Sequence, residues 1–169
     1  MVIIASNEQQ GDSMAVESGK DYALAQKVTW VFKTGVGSAF GLVTKEKFYL
    51  FPYDTIQGAG STVTTTKVSI GGLSPADAIT QLLEDSSTTM DSLHSTLQGW
   101  ADDVGKGPEI REMSEFKRIK LRNGFFNRNV AFSVKEKGIG LTGGVVAMRP
   151  KKAEMPAFYS LFEGDPRLV

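Results

Sequence analysis

The chain has 169 residues, with 19 Lys and Arg balancing 19 Asp and Glu, one His and no Cys. Without a thiol there is no disulfide framework, no Cys-ligated zinc and no cysteine nucleophile, and a lone His excludes a multi-histidine metal site. Hydrophobic residues at 41% and charged residues at 22% are the proportions of one globular domain with a sizeable core, and 18 Gly with 6 Pro announce many turns.

The opening Met1-Val2-Ile3-Ile4-Ala5 lacks a basic stretch, and its apolar run is shorter than the roughly 7 to 15 residues of a signal peptide. No apolar run reaches the roughly 18 residues of a membrane span, so the expected compartment is the cytoplasm. Residues 1–20 are mostly polar and Gly-containing, with Met14, Ala15 and Val16 as a small apolar patch, which reads as a flexible N-terminal arm. From Tyr22 the pattern alternates: Tyr22, Leu24, Val28, Trp30 and Phe32 are apolar, Gln26 being the exception, and this is the period of a half-buried strand. Thr34 to Ser38, with Gly35 and Gly37, then supply turn chemistry.

Phe40, Leu42 and Thr44 share one parity, Lys45-Glu46-Lys47 make a polar turn, and Phe48-Tyr49-Leu50-Phe51 run up to Pro52, which predicts two antiparallel strands. The β-branched and polar run 62–70 predicts a fourth strand, ended by Gly71-Gly72. Ser74, Pro75 and Asp77 then form a helix start, with Ile79, Leu82 and Leu83 as its apolar face. Asp85 to Thr89 favour an interruption, and Met90, Leu93, Leu97, Trp100 and Val104 place one apolar stripe on a second helix, for which Thr88 and Asp91 resemble a capping pair. A single bent helix over 75–104 is the alternative, and residues 105–108 terminate either.

After residue 114 the period returns to two. Ile119 and Leu121 alternate with Arg118, Lys120 and Arg122; Val130, Phe132 and Val134 alternate with Ala131, Ser133 and Lys135; Val145 to Met148 are a last apolar run. Gly124, then Gly138, Gly140, Gly143 and Gly144, mark the intervening turns, and Pro156 opens a terminal helix whose Phe158, Leu161 and Phe162 share a face. The expected fold is mainly β (α+β): seven antiparallel strands, grouped four then three, in a barrel or sandwich with a C-terminal capping helix.

This order resembles the pleckstrin-homology-like (PH-like) fold. The piece Phe40-Gly41-Leu42-Val43-Thr44-Lys45-Glu46-Lys47-Phe48-Tyr49-Leu50-Phe51-Pro52-Tyr53-Asp54 is similar to the basic-turn, aromatic-strand, acidic-turn stretch of bacterial PH-like and GRAM-like domains, and Pro156 to Phe162 resembles their capping helix. The resemblance covers residues 21–72 and 115–164, with the helical segment 74–105 as an insertion between the fourth and fifth strands, the domain running over 21–164 and residues 165–169 left as a tail. It implies a module that binds lipid headgroups, peptides or protein surfaces and is seldom catalytic, although fold does not fix function.

Neutral overall charge hides an asymmetry. Residues 1–100 carry a net −4 and residues 101–169 a net +4. Residues 116–152 alone hold ten basic groups (Lys117, Arg118, Lys120, Arg122, Arg128, Lys135, Lys137, Arg149, Lys151, Lys152) against Glu136. Alternation sets Arg118, Lys120 and Arg122 on one face, a neighbouring strand is expected to add Arg128, and Phe125, Phe126 and Asn127 lie in the turn beside them. An anionic lipid headgroup or a protein partner is the expected ligand, and nucleic acid, drawn by the same field, ranks behind them. The competing reading is a merely solubilising strand, or pairing with the acidic helices.

The helical stripe offers a second function: a self-assembling or scaffold subunit, a homo-oligomer joined through Leu93, Leu97 and Trp100, unless that stripe covers the sheet. An enzyme ranks last. His94 has no nucleophile and carboxylate at recognisable spacing, Asp102-Asp103 and Glu84-Asp85 lack calcium-loop spacing, and Gly35, Gly37 and Gly41 neither match a dinucleotide fingerprint nor precede a helix. No catalytic residue, metal or cofactor is assigned.

Overall fold

Alternating segments pair into antiparallel ladders, and two interruptions decide how they are arranged. The computed structural model describes residues 14–32, 35–58, 60–134 and 145–169. Among them run nine strands, β1 (Tyr22–Phe32), β2 (Gly35–Thr44), β3 (Lys47–Pro52), β4 (Asp54–Gln57), β5 (Thr64–Lys67), β6 (Glu109–Glu112), β7 (Arg118–Asn123), β8 (Arg128–Ser133) and β9 (Val145–Met148). Three α-helices join them: α1 (Pro75–Glu84), α2 (Met90–Val104) and the C-terminal α3 (Met155–Leu161).

Seven strands form one antiparallel sheet in the order β6-β3-β2-β1-β9-β8-β7. Two meanders are joined where Val28 of β1 meets Met148 of β9. The sheet is not a closed barrel, because its edge strands β6 and β7 are linked by residues 113–117 and not by a ladder. It curls strongly all the same. Phe48 on β3 and Phe132 on β8 lie four places apart in the sheet, about 19 Å if it were flat, yet their ring centroids are 5.8 Å apart.

The concave side holds a core of Ala25, Val28, Val43, Phe48, Leu50, Phe116, Ile119, Val130 and Phe132, against which α3 lays Phe158, Leu161 and Phe162. Smallness is required inside it. A Cβ on Gly41 would stand 2.3 Å from Met148 Cε and 2.8 Å from Val28 Cγ2. The convex side of the first meander builds a second core: Phe40, Leu42, Tyr49 and Phe51 pack under Ile79 and Leu83 of α1 and Leu93, Leu97 and Ala101 of α2.

Several expectations are corrected. The sheet's fourth strand is β6, not 62–70, so the helices fall between its third and fourth strands. Glu109-Ile110-Arg111-Glu112 has no apolar alternation, and pairing with β3, Ile110 opposite Tyr49, makes it a strand. Residues 64–67 are exposed and pair only with β4 in a separate ribbon; their β-branched composition found a strand but not its partner. The even-position pattern of β1 is broken by a bulge between Ala25 and Val28, which moves the concave-facing positions from Ala23 and Ala25 to Val28. The segment 75–104, in contrast, is two helices as the interruption at Asp85 to Thr89 predicts, and not the alternative single bent helix. Asp85 is extended at φ −71° and ψ 114°, and Asp85 Oδ1 accepts from the Ser87 N–H at 2.9 Å. The cap of α2 is Thr89, whose hydroxyl oxygen accepts from the Ser92 N–H at 3.2 Å. Thr88 is buried instead, donating to the Leu82 carbonyl at 2.7 Å.

Both ends of the described chain are tied down. Of the segment expected as an arm, residues 14–20 are described, and the Val16 N–H donates to the Thr88 carbonyl at 3.0 Å. In the tail, Arg167 pairs with Asp165 at 2.6 Å, and Ile119 of β7 donates to the Arg167 carbonyl at 2.8 Å. That contact covers the outer edge of β7 at its first rungs.

Candidate functional site

In β7, alternation buries Ile119 in the concave core and turns Arg118, Lys120 and Arg122 to the convex face. Register extends that face across two more strands. Arg118 sits opposite Ser133, Lys120 opposite Ala131 and Arg122 opposite Asn129; Ala131 in turn faces Ala147 of β9. Arg149, just past β9, is exposed, and its N–H donates to the Lys27 carbonyl at 3.2 Å, which ties the end of β9 to β1. Small Ala131 and Ala147 beside the β7 cations leave a low surface with a basic margin along one side.

Arg128 does not join this row. It pairs with Asn123, and directly opposed residues point to the same side, so it stands on the concave-side parity of Val130 and Phe132. Its Nε donates to Asn123 Oδ1 at 3.1 Å. Sequence spacing missed this because the hairpin register was needed to fix the parity of β8 against β7.

Pairing with the acidic helices is not what the basic strands do. Among the described residues, Arg118, Lys120, Arg122 and Arg128 make no ion pair, whereas Arg111 pairs with Glu115 at 2.9 Å and Lys47 with Glu112 at 3.4 Å. Nor do the helices cover this face, since the helix-covered core contains no residue of β7, β8 or β9. Lys135, Glu136, Lys137 and the glycines Gly138, Gly140, Gly143 and Gly144 lie outside the described residues.

The turn 124–127 closes the β7–β8 hairpin, with the Gly124 N–H donating to the Asn127 carbonyl at 3.3 Å. Gly124 and Asn127 are the residue types a turn demands, but Phe125 and Phe126 between them are 90% and 96% exposed. The signal was visible in the sequence as two adjacent aromatics where turn chemistry is polar.

The stripe of α2 is spent inside the chain. Leu93 and Leu97 are fully buried against the sheet, so they are not an outward surface, and Trp100 at the stripe's end is half-buried beside them. His94 rides on the same helix. Its Nδ1 and the Tyr49 hydroxyl share a short hydrogen bond, its ring stacks on Tyr49 with centroids 5.8 Å apart, and Nε2 lies 3.6 Å from Glu46 Oε2. Burial holds the imidazole below its ordinary pKa and pushes the Tyr49 phenol well above its own. Nε2 is itself buried without a hydrogen-bond partner, so it is not presented to a substrate. No group of three or more His, Cys, Asp or Glu able to hold a metal ion occurs among the described residues.

No protein-family model, curated protein or solved structure matches this chain.

Proposed function

We propose that the chain is a non-catalytic binding module that recognises an anionic lipid surface through the convex face of β7, β8 and β9. One observation carries the reading: Arg118, Lys120 and Arg122 project from one strand face without an ion-pair partner among the described residues, and residues 116–134 contain five basic groups and no acid. Cations held on a rigid ladder lose little entropy when a multivalent anionic surface arrives, and each adds about 1 kcal/mol of attraction near such a surface. No helix among the described residues is long and apolar enough to cross a membrane, and the reading takes the contact to be peripheral.

The reading includes a PH-like arrangement and a cytoplasmic setting. Supporting the arrangement are the four-then-three grouping of the sheet and the C-terminal helix against its concave side; the β4–β5 ribbon and the two helices ahead of the fourth sheet strand depart from it.

Sedimentation with vesicles rich in phosphatidylserine tests the function. Arg118→Ala with Lys120→Ala should weaken binding about thirtyfold at low salt, from about 1 kcal/mol per residue, with the difference shrinking as salt rises. Equal binding by the variant removes this face from the reading. A wild type that ignores vesicles but is captured by an acidic protein surface replaces the lipid with a protein partner.

A further inference from the structure

We infer that the β7–β8 hairpin is a membrane wedge: Phe125 and Phe126 enter the hydrocarbon edge of an anionic bilayer while Arg122 and Arg128 meet headgroup phosphates on its two sides. The inference rests on the lipid reading above and adds a second, apolar contact to it.

The fold does not use these two rings. Both stand almost wholly in solvent, and they touch each other edge to face, with centroids 4.9 Å apart at 83°. Gly124 and Asn127 already satisfy the turn, so its conformation does not call for aromatics. Two adjacent exposed aromatics at the apex of a protruding hairpin form a compact apolar point of the kind that marks an interaction site.

Position then selects the partner. Arg122 and Arg128 flank the apex, and the register puts them on opposite faces of the hairpin, Arg122 with Asn129 and Arg128 with Asn123. A protein groove would meet such cations on one side, whereas a bilayer entered tip first surrounds the hairpin with phosphates. Depth agrees as well. Each arginine lies two or three residues from the nearer phenylalanine, about 7 to 10 Å along an extended strand, and the headgroup layer is on the order of 5 to 7 Å thick. Rings at the hydrocarbon edge therefore set both arginine backbones at the outer rim of the headgroup layer, from which a long guanidinium side chain reaches back to its phosphates, and leave Lys120, two residues further along β7, outside that layer. The perpendicular arrangement of the rings exposes edges in two directions and does not make the parallel platform on which successive bases of a single-stranded nucleic acid stack.

The experiment uses the full chain with vesicles of neutral phosphatidylcholine, alone and mixed with phosphatidylserine, and three variants: Phe125→Ser with Phe126→Ser, Arg118→Ala with Lys120→Ala, and Phe126→Trp. The paired serine variant should unfold at the wild-type denaturant midpoint, bind mixed vesicles roughly tenfold or more weakly, and lose the binding that the wild type retains at about 1 M salt, where screening acts over about 3 Å. Emission from Phe126→Trp, taken as the difference from the wild type with its own Trp30 and Trp100, should shift to the blue on mixed vesicles and be quenched by brominated acyl chains. Unchanged binding by the serine variant, with unshifted emission, overturns the wedge and leaves the basic face standing. Loss of binding in the serine variant but none in the Arg118 and Lys120 variant keeps the wedge and removes the basic face. A wild type that binds neither vesicle overturns both.

Discussion

The convex face of one sheet is treated in two opposite ways. Over β2 and β3 its outward residues are Phe40, Leu42, Tyr49 and Phe51, and two helices cover them completely. Over β7, β8 and β9 the same parity carries Arg118, Lys120, Arg122, Ala131 and Ala147, and among the described residues α1 and α2 do not reach it. The ladders are alike and the concave core is continuous beneath both, so the difference lies in the side chains alone. Where both parities are apolar the sheet requires a second layer; where one parity is cationic it stays open to a partner.

The sharpest way to break that contrast is to remove one side chain from the covered half. Leu93 of α2 is fully buried in the core between the two helices and the first meander. Leu93→Ala should cost about 2 to 5 kcal/mol in a urea unfolding experiment, from lost transfer energy and the cavity left behind. Arg118→Ala with Lys120→Ala, on the open half, should stay within about 0.5 kcal/mol per residue. Comparable losses from the two would mean that the basic residues hold the fold together and that the halves do not differ in kind.

That contrast also explains what the sequence disclosed. Strands were legible where one parity differed from the other, as in Arg118 to Arg122 with Ile119 and Leu121, and α2 was legible because its stripe recurs every three to four residues. The concave and convex layers were not, because Phe48 to Phe51 are buried on both faces and alternate between two cores that a pattern of apolar letters cannot separate. β6 escaped notice because neighbours make it a strand: Glu109 and Arg111 are held by the β3 ladder and by ion pairs, not by their own preference. At the candidate site, the parity of Arg118, Lys120 and Arg122 followed from spacing alone, since they share a strand. Arg128 did not, since its side depends on a register set by the turn at Gly124 to Asn127.

A milder perturbation asks whether the second layer depends on the start of α2. Thr89 accepts from the Ser92 N–H and Ser92 returns the bond to the Thr89 N–H at 2.8 Å, a reciprocal cap. Thr89→Ala should lower stability by about 1 kcal/mol in the same unfolding experiment, while Thr89→Asn retains most of it. If the two substitutions cost the same, packing of Thr89 and not its cap anchors the helix.

The smallest expected effect is a pH dependence confined to the covered half. His94 is wedged between α2 and β3, faced by Tyr49, Glu46, Lys47, Asp91 and Glu112, and burial outweighs the attraction of Glu46 to hold its folded-state pKa below the ordinary value of 6.5. The unfolded chain therefore binds the proton more readily than the folded one, so stability is highest above 6.5 and falls as pH drops through that value toward the lowered one. Glu109, raised by its own burial, contributes a slope of opposite sign, and Asp165, lowered by Arg167, acts only at more acidic pH. Both are shared by His94→Gln, whose amide keeps a hydrogen-bonding partner for the Tyr49 hydroxyl without titrating. Urea midpoints measured between about pH 7.5 and 5.5 should fall more steeply for the wild type than for His94→Gln. Vesicle binding through the open half should not follow that fall while the protein remains folded, because His94 and the groups that face it lie on the covered half and not on the face of Arg118, Lys120 and Arg122; parallel slopes for the two proteins would place the pH sensitivity elsewhere than at the interface between α2 and the sheet.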